Sequence, residues 1–228
     1  MKNIVILTGA GMSAESGVKT FRDSGGLWEG HDVMEVASPQ GWEDNQELVL
    51  DFYNQRRKQL RSVKPNAGHI GLVDLEKEYH VQIITQNVDD LHERAGSTNV
   101  LHLHGELFKV QSTFDKSDVL EWKKNLNQGD LCKKGHQLRP HIVWFGEQVP
   151  LLSDAMKLVE KAAIFIVIGT SMQVYPAANL IHYVPNGKPI YFIDPKPTID
   201  KLAFPNLTII ANTATLGVDE LKKILLNL

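Results

Sequence analysis

Cysteine is almost absent from this chain. Cys132 is the single thiol in 228 residues, so no internal disulfide is available and a reducing compartment is the natural setting. Charge of one sign is not in excess either. With 24 Lys and Arg against 27 Asp and Glu, the formal net charge of −3 removes any general pull toward nucleic acid or anionic membrane, leaving only room for a local basic patch. No apolar stretch is long enough to span a bilayer, and no basic segment with a small-residue cleavage site precedes the first apolar run. A cytoplasmic protein is therefore expected, with neither membrane nor nucleic acid among its partners. Internal repeats, low-complexity tracts and an interdomain linker are also missing.

What is present reads as one domain over residues 1–228, 43% hydrophobic and 22% charged, enough for a single sizeable core. Short apolar runs recur at Ile4 to Leu7, Val81 to Thr85, Ile164 to Ile168 and Ile190 to Ile193, with similar ones at Val100 to Leu103 and Leu207 to Ile210. Their continuous rather than alternating character is that of strands covered on both faces, so an α/β fold with a doubly wound parallel sheet is expected. Helical spacing and caps lie between them at Asn66 to Glu78, Asp89 to Ala95, Ser153 to Ala162 and Asp219 to Leu226. Two stretches break the rhythm: 29–64 is helical in pattern, and 109–140 is polar and Lys-rich with a turn at Asn125 to Gly129. Both read as insertions that form a smaller lobe, leaving a sheet core of about 1–28, 65–108 and 141–228.

Residues 8–28 carry the strongest local signal. Gly9-x-Gly11-x-x-Ala14 follows a strand and supplies the tight turn and bare backbone that let a pyrophosphate approach a helix N-terminus. Past Val18 to Thr20 the chain becomes a polar, Gly-rich loop with Phe21, Arg22 and Asp23, where a dehydrogenase would run into a second strand ending in an acid for the ribose. Hydride transfer is disfavoured on that ground. Four further segments sit at strand ends or carry aromatic clusters. Gln86-Asn87-Val88-Asp89 offers amide and carboxylate groups for a carboxamide or ribose, or merely a helix cap at Asp89. His102-Leu103-His104-Gly105 is expected to place both imidazoles on one side of a strand, as a proton acceptor near pH 7, a metal pair or a structural feature. Leu138 to Glu147 is an aromatic-apolar run ending in Gly146-Glu147, an extended segment whose free edge suits an added peptide strand and whose Trp144 and Phe145 suit an acyl tunnel, or else a core strand with two packed aromatics. Gly169-Thr170-Ser171 leads from a strand into a small-hydroxyl loop able to face a nucleotide.

Taken together and in this order, Gly-Ala-Gly-Met-Ser-Ala-Glu-Ser-Gly with Phe-Arg, Gln-Asn-Val-Asp, His-Gly, Phe-Gly-Glu and Gly-Thr-Ser resemble the sirtuin family of NAD-dependent protein lysine deacylases, over nearly the whole chain. The resemblance implies a Rossmann-like core and NAD as a consumed co-substrate, its nicotinamide bond cleaved with help from the substrate's acyl oxygen. It implies nicotinamide and an O-acyl-ADP-ribose as products and acyl-lysine proteins or peptides as partners. Carried onto this chain, it makes His104 the base and puts Asn87 and Asp89 at the nicotinamide end. It gives phosphate and ribose contacts to Gly9, Ala10, Gly11 and Ala14, lid positions to Phe21 and Arg22, and ribose hydroxyls to Gln86. Gly169, Thr170 and Ser171 fall on the adenosine side with Ala214, and Asp194 stands where the family usually has an asparagine. Val143, Trp144, Phe145, Gly146 and Glu147 become substrate-binding residues.

Tyr53 and Arg56 lie three apart on one helical face and resemble the pair of the sirtuin branch that removes succinyl, malonyl or glutaryl groups, a phenol and a guanidinium clamping one carboxylate. The alternative is a solvated basic helix with an aromatic anchor. Most sirtuins hold a zinc with two Cys-x-x-Cys pairs, whereas the matching positions here are Ser112, Asp115, Cys132 and Gly135. Asp115, Cys132 and His136 would make a poor set, so no metal site is expected and the lobe should be held by packing around Trp122 and Leu126. Mono-ADP-ribosyl transfer and a non-enzymatic NAD or ADP-ribose sensor remain the alternatives.

Overall fold

The computed structural model describes residues 1–19, 27–28 and 30–226. The expected lid residues Phe21 and Arg22 lie outside this range. Along the chain, β1 (Asn3–Thr8) leads through one turn of helix, α1 (Gly11–Ala14), to β2 (Leu27–Trp28), β3 (His31–Asp32), α2 (Val33–Val36), α3 (Pro39–Asp44) and α4 (Gln46–Ser62). Next come α5 (Ala67–Leu75), β4 (His80–Thr85), α6 (Leu91–Ala95), β5 (Val100–His102), β6 (Gly105–Ser112), β7 (Val119–Glu121) and β8 (Leu138–Ile142). The remainder is α7 (Leu152–Val159), β9 (Ile164–Ile168), β10 (Ile190–Ile193), β11 (Leu207–Ile210) and α8 (Ala214–Leu225). Among the described residues no helix is long and apolar enough to cross a membrane.

Six parallel strands form the main sheet in the order β11-β10-β9-β1-β4-β5. From β1 the chain first builds outward through β4 and β5 and then returns to build outward through β9, so β1 and β9 flank the switch point where a doubly wound sheet opens a crevice. The apolar strands are continuous because both faces are covered. Ile4, Ile6, Ile83 and Ile166 pack toward α5 and α8 with Leu72 and Leu221, while Val5, Leu7, Ile84 and Phe165 pack toward α7 with Ala155 and Val159. Successive side chains thus feed two separate cores, each buried Ile, Leu or Phe contributing about 1.5–3 kcal/mol of transfer free energy.

The smaller lobe joins α2–α4 to the antiparallel sheet β7-β6-β8. Its core includes Trp42, Phe52, Tyr53, Phe108, Leu126 and Leu138, and extends to Leu107, Ile142 and Trp144. Leu126 is held twice over: Asn54 on α4 donates to its carbonyl at 2.9 Å and accepts its N–H at 2.8 Å. Trp122 is only partly buried, its Nε1 donating to the Asn125 carbonyl at 3.0 Å.

Two local expectations change. The last helix starts at Ala214 rather than Asp219, because Glu15 accepts the Thr215 N–H at 2.9 Å and its hydroxyl at 2.7 Å and so closes the first turn. β5 ends at His102, so strand alternation does not extend to His104 and the two imidazoles do not share a side. His104 faces the main crevice, and His102 lines a separate cavity behind it.

The crevice is closed at its base by glycine. Gly9 N–H donates to Ile168 O at 3.0 Å and Gly11 N–H to Gly169 O at 2.8 Å; a Cβ on Gly11 would stand 2.7 Å from Gly169 Cα. Gly169 has φ +62°, and its Cβ would meet Gly11 C and Met12 N at 2.5 Å. Gly169→Ala combines a left-handed backbone with overpacking, and is expected to cost about 2–4 kcal/mol in denaturant unfolding.

Candidate active site

The carboxyl ends of β1, β4 and β9 open into a cavity of about 800 Å³. Its lining extends from Tyr53 and Arg56 on α4 to Thr213 and Ala214 at the start of α8. The structure brings together on this one surface Gly9, Ala10, Gly11, Ala14, Gln86, Asn87, Asp89, His104, Gly169, Thr170, Ser171, Asp194 and Ala214, with Tyr53, Arg56 and Val143 to Glu147.

Asn87 is held at both its backbone and its side chain. Its backbone N–H donates to Thr85 Oγ1 at 3.0 Å, and its Nδ2 donates to Gly9 O at 3.1 Å and Ser13 Oγ at 3.2 Å. Ser13 Oγ donates in turn to Asp89 Oδ2 at 2.9 Å, while Asp89 Oδ1 accepts the Leu91 N–H at 3.2 Å. Burial pushes the Asp89 carboxyl upward against these bonds and the charge of His102. Gln86 Nε2 donates to Thr170 Oγ1 at 3.1 Å and so bridges β4 to the loop after β9.

His104 presents a defined tautomer. Its Nδ1 lies 3.0 Å from Gln86 O, which only accepts, so Nδ1 carries the proton and Nε2 keeps its lone pair. Burial lowers its pKa below 6.5 despite that bond, which leaves a neutral imidazole at pH 7. Two more neutral histidines lie beneath the site. His92 Nε2 is 3.1 Å from Thr8 Oγ1, itself 2.8 Å from Thr85 Oγ1, and its ring stands edge-on to His69 with centroids 4.9 Å apart. Burial lowers His69 to about 4 and holds His92 well below 6.5.

At the small-lobe end, Trp144 Nε1 donates to the Tyr53 hydroxyl at 3.0 Å. Burial pushes that phenol upward, so it remains protonated and able to donate. The Arg56 guanidinium lies 5.1 Å from the Phe52 ring centroid. Trp144 is 2% exposed and stacks against Arg139, whose carbon centre is 3.4 Å from the ring centroid, whereas Phe145 is 44% exposed. The strand before this segment, β8, lies at the edge of its sheet, and several backbone donors that follow it are engaged. Val143 N–H donates to His104 O, Trp144 N–H to Glu147 Oε2, Phe145 N–H to Ala37 O and Glu147 N–H to Trp144 O, so these donors are already satisfied within the chain. The Glu147 side chain likewise turns to Arg139, in two bonds of 3.1 and 2.9 Å.

At the opposite end Asp194 Oδ1 accepts the Lys196 N–H at 2.9 Å, an Asx turn after β10. Polar groups thus flank both ends of a long apolar-walled crevice at a topological switch point, a shape and donor set that fit an extended dinucleotide.

The Sir2 family model matches residues 9–176. The chain belongs to the Sir2 family. An NAD-dependent protein deacylase of Helicobacter pylori is 64% identical over 196 residues, covering 86% of this chain and 84% of that protein. One of Bacteroides thetaiotaomicron is 54% identical over 232 residues, 99% of each. The solved complex of a Sir2 homologue with NAD aligns at a TM-score of 0.88 and 40% identity, over 99% of this chain and 90% of that one.

Sequence reasoning quoted Thr8, Ser13, Thr85 and His92 within its motifs but gave them no role in holding this Sir2 site. Ser13 lay inside the glycine segment and carried no signal of its own; only the fold carries it to Asp89. The positions matching the zinc cysteines do not fit a metal. Ser112 Oγ donates to Cys132 Sγ at 3.4 Å and accepts the Phe114 and Asp115 N–H groups, while Asp115 turns to Ser117 and Lys134. Among the described residues no cluster of three or more His, Cys, Asp or Glu could hold one.

Glu147 yields a stability test. Burial raises its pKa, but Arg139, the Trp144 N–H and Lys116 outweigh this and lower it from 4.5 to about 2. A depressed folded pKa gives stability that is present above pH 4.5 and lost as pH falls toward 2. Glu147→Gln is therefore expected to cost about 3 kcal/mol at pH 7, with the gap to wild type narrowing through that acid range in thermal unfolding.

Proposed function

We propose that this chain uses NAD to remove acidic acyl groups, succinyl, malonyl or glutaryl, from protein lysines, acting on acetyl groups more weakly. That it is an NAD-dependent deacylase rests on its Sir2 membership and on relatives of that name at 64% and 54% identity. The acidic preference rests on one observation: Tyr53 and Arg56 line the same cavity as His104. A protonated phenol and a guanidinium in a buried pocket can hold a carboxylate, and would leave a neutral acyl group without that pairing.

NAD supplies an ADP-ribosyl acceptor with nicotinamide as leaving group. The chain's part is to bind, orient and move a proton. Gly9 to Gly11, Gly169 to Ser171 and the start of α8 are suited to the ADP portion, with the Asn87–Ser13–Asp89 network at the nicotinamide end. His104 offers an unprotonated Nε2 in the crevice, the state a general base for a ribose hydroxyl requires. The buried walls limit water, which favours acyl transfer over hydrolysis of the cofactor.

His104→Ala is expected to lower turnover by about 100-fold or more while NAD binding by calorimetry persists. Loss of binding with turnover would contradict the base role, and label from NAD found on protein rather than on O-acyl-ADP-ribose would favour ADP-ribosyl transfer. Because the His104 pKa lies below 6.5, the acidic limb of kcat/KM should fall below that pH, activity being lost as the imidazole gains a proton. Arg56→Met should reduce desuccinylation about 100-fold and largely spare deacetylation, measured on matched peptides. Equal loss of both would end the acidic-acyl assignment.

We also propose that the small lobe folds without zinc, supported by the Ser112–Cys132 hydrogen bond and the Asn54 clamp on Leu126. Elemental analysis of the purified protein should return less than stoichiometric zinc, and a full equivalent lost in Cys132→Ser would refute this.

A further inference from the structure

His102 is not a duplicate of His104. Both of its ring nitrogens face groups that only accept: Nδ1 lies 3.1 Å from Asn87 O and Nε2 lies 2.7 Å from Glu93 Oε1. A neutral imidazole has one proton and would leave one of these contacts as a lone pair against a lone pair. With Glu93 ionised, its pKa lowered by the bond and charge of His102 and by Lys109 against burial, the two contacts together call for the doubly protonated ring with Glu93 as its counter-ion. We infer that His102, held as an imidazolium by Glu93, is a positioning residue that fixes the Asn87 peptide and thereby sets the nicotinamide end of the crevice.

The surroundings fit that state. Burial disfavours the charge, but the hydrogen bond and charge of Glu93, with Glu106 and the Asn87 carbonyl, outweigh it and raise the pKa. Charged and titratable neighbours come from every packed element: Glu93 and His92 on α6, Asp89 on the preceding loop, Glu106 on β6 and His141 on β8. Lys109 on β6 also acts on Glu93. The ion pair is reached from behind the site, since His102 lines the second cavity, of about 480 Å³, and the Glu93 side chain is 41% exposed.

The mechanical consequence lies in Asn87. Its N–H is tied to Thr85 and its carbonyl to His102, while the preceding carbonyl, of Gln86, is tied to His104. Three anchors on two consecutive residues leave the Asn87 side chain one direction, into the crevice toward Gly9 and Ser13. Without the His102 bond the Asn87 carbonyl is released, and small displacements of groups around a reacting centre lower the rate steeply.

The role in turnover rests on the deacylase reading; the protonation state does not. Two measurements separate them. In ¹⁵N-histidine NMR of the wild-type chain, His102 should show both ring nitrogens protonated at pH 7 and should titrate above 6.5, and Glu93→Gln should lower that titration. A His102 that is neutral at pH 7 overturns the inference whether or not the chain deacylates. In kinetics at saturating NAD, His102→Leu should lower kcat by about tenfold with little change in peptide KM. His102→Asn, whose amide N–H replaces Nδ1, should recover most of that loss. Equal kcat in the Leu and Asn variants, both folded by circular dichroism, overturns the positioning role.

Discussion

The site depends on a backbone contact between two loops that are far apart in sequence. Gly9 and Gly11, leaving β1, hydrogen-bond to Ile168 and Gly169, leaving β9, at the point where the sheet reverses its direction of growth. Side chains there would push the loops apart, since added Cβ atoms stand 2.5–2.8 Å from backbone or the Thr170 side chain. The glycines therefore have a purpose beyond exposing amides to a phosphate: they draw the two loops together into one continuous floor. Asn87 is built on that floor, because its amide donates to the Gly9 carbonyl. The Asn87 network and the glycine floor are thus referenced to the same backbone.

Three buried histidines and the half-buried His104 around this floor show how surroundings, not residue type, assign protonation. His104 has one acceptor and one open side and stays neutral. His102 has two acceptors and is charged. His92 and His69 face a hydroxyl and a backbone N–H in a dry layer and are neutral far below pH 7. Desolvation acts on all four in the same direction, so the hydrogen-bond partners decide which ring pays it and holds a proton.

Much of the fold was legible because burial on two faces leaves a simple mark. The continuous runs at Ile4, Val81, Ile164 and Ile190 are strands, and their alternate residues divide between two cores. Element ends were less legible, since they are set by distant partners. Glu15 closes the first turn of α8 from some 200 positions away. The candidate site was legible where unusual residues cluster in sequence, as at Gln86 to Asp89. It was not where an ordinary residue is recruited across space: Ser13 matters through Asp89, and Thr8 through Thr85. Alternation misled at His102 and His104 because the strand ends between them.

At Ser112, Asp115, Cys132 and Gly135, the positions matching the zinc cysteines, the small lobe carries local bonds. A zinc would tie two hairpin turns to one point with four strong ligands. Here Ser112 joins the same turns through one weak O–H···S bond and two backbone donors, with Lys134 and Asp115 paired above at 3.2 Å. Those surface bonds are worth little individually. The heavier contribution lies deeper, where Asn54 pins Leu126 and Arg57 donates to Leu107 O at 3.0 Å, both from α4. Since α4 also carries Tyr53 and Arg56, the helix that anchors the small lobe is the one that lines this end of the cavity. Lobe packing and the shape of this cavity end are therefore coupled through a single element, and packing changes around Leu126 should reach Tyr53 and Arg56 before they reach the glycine floor.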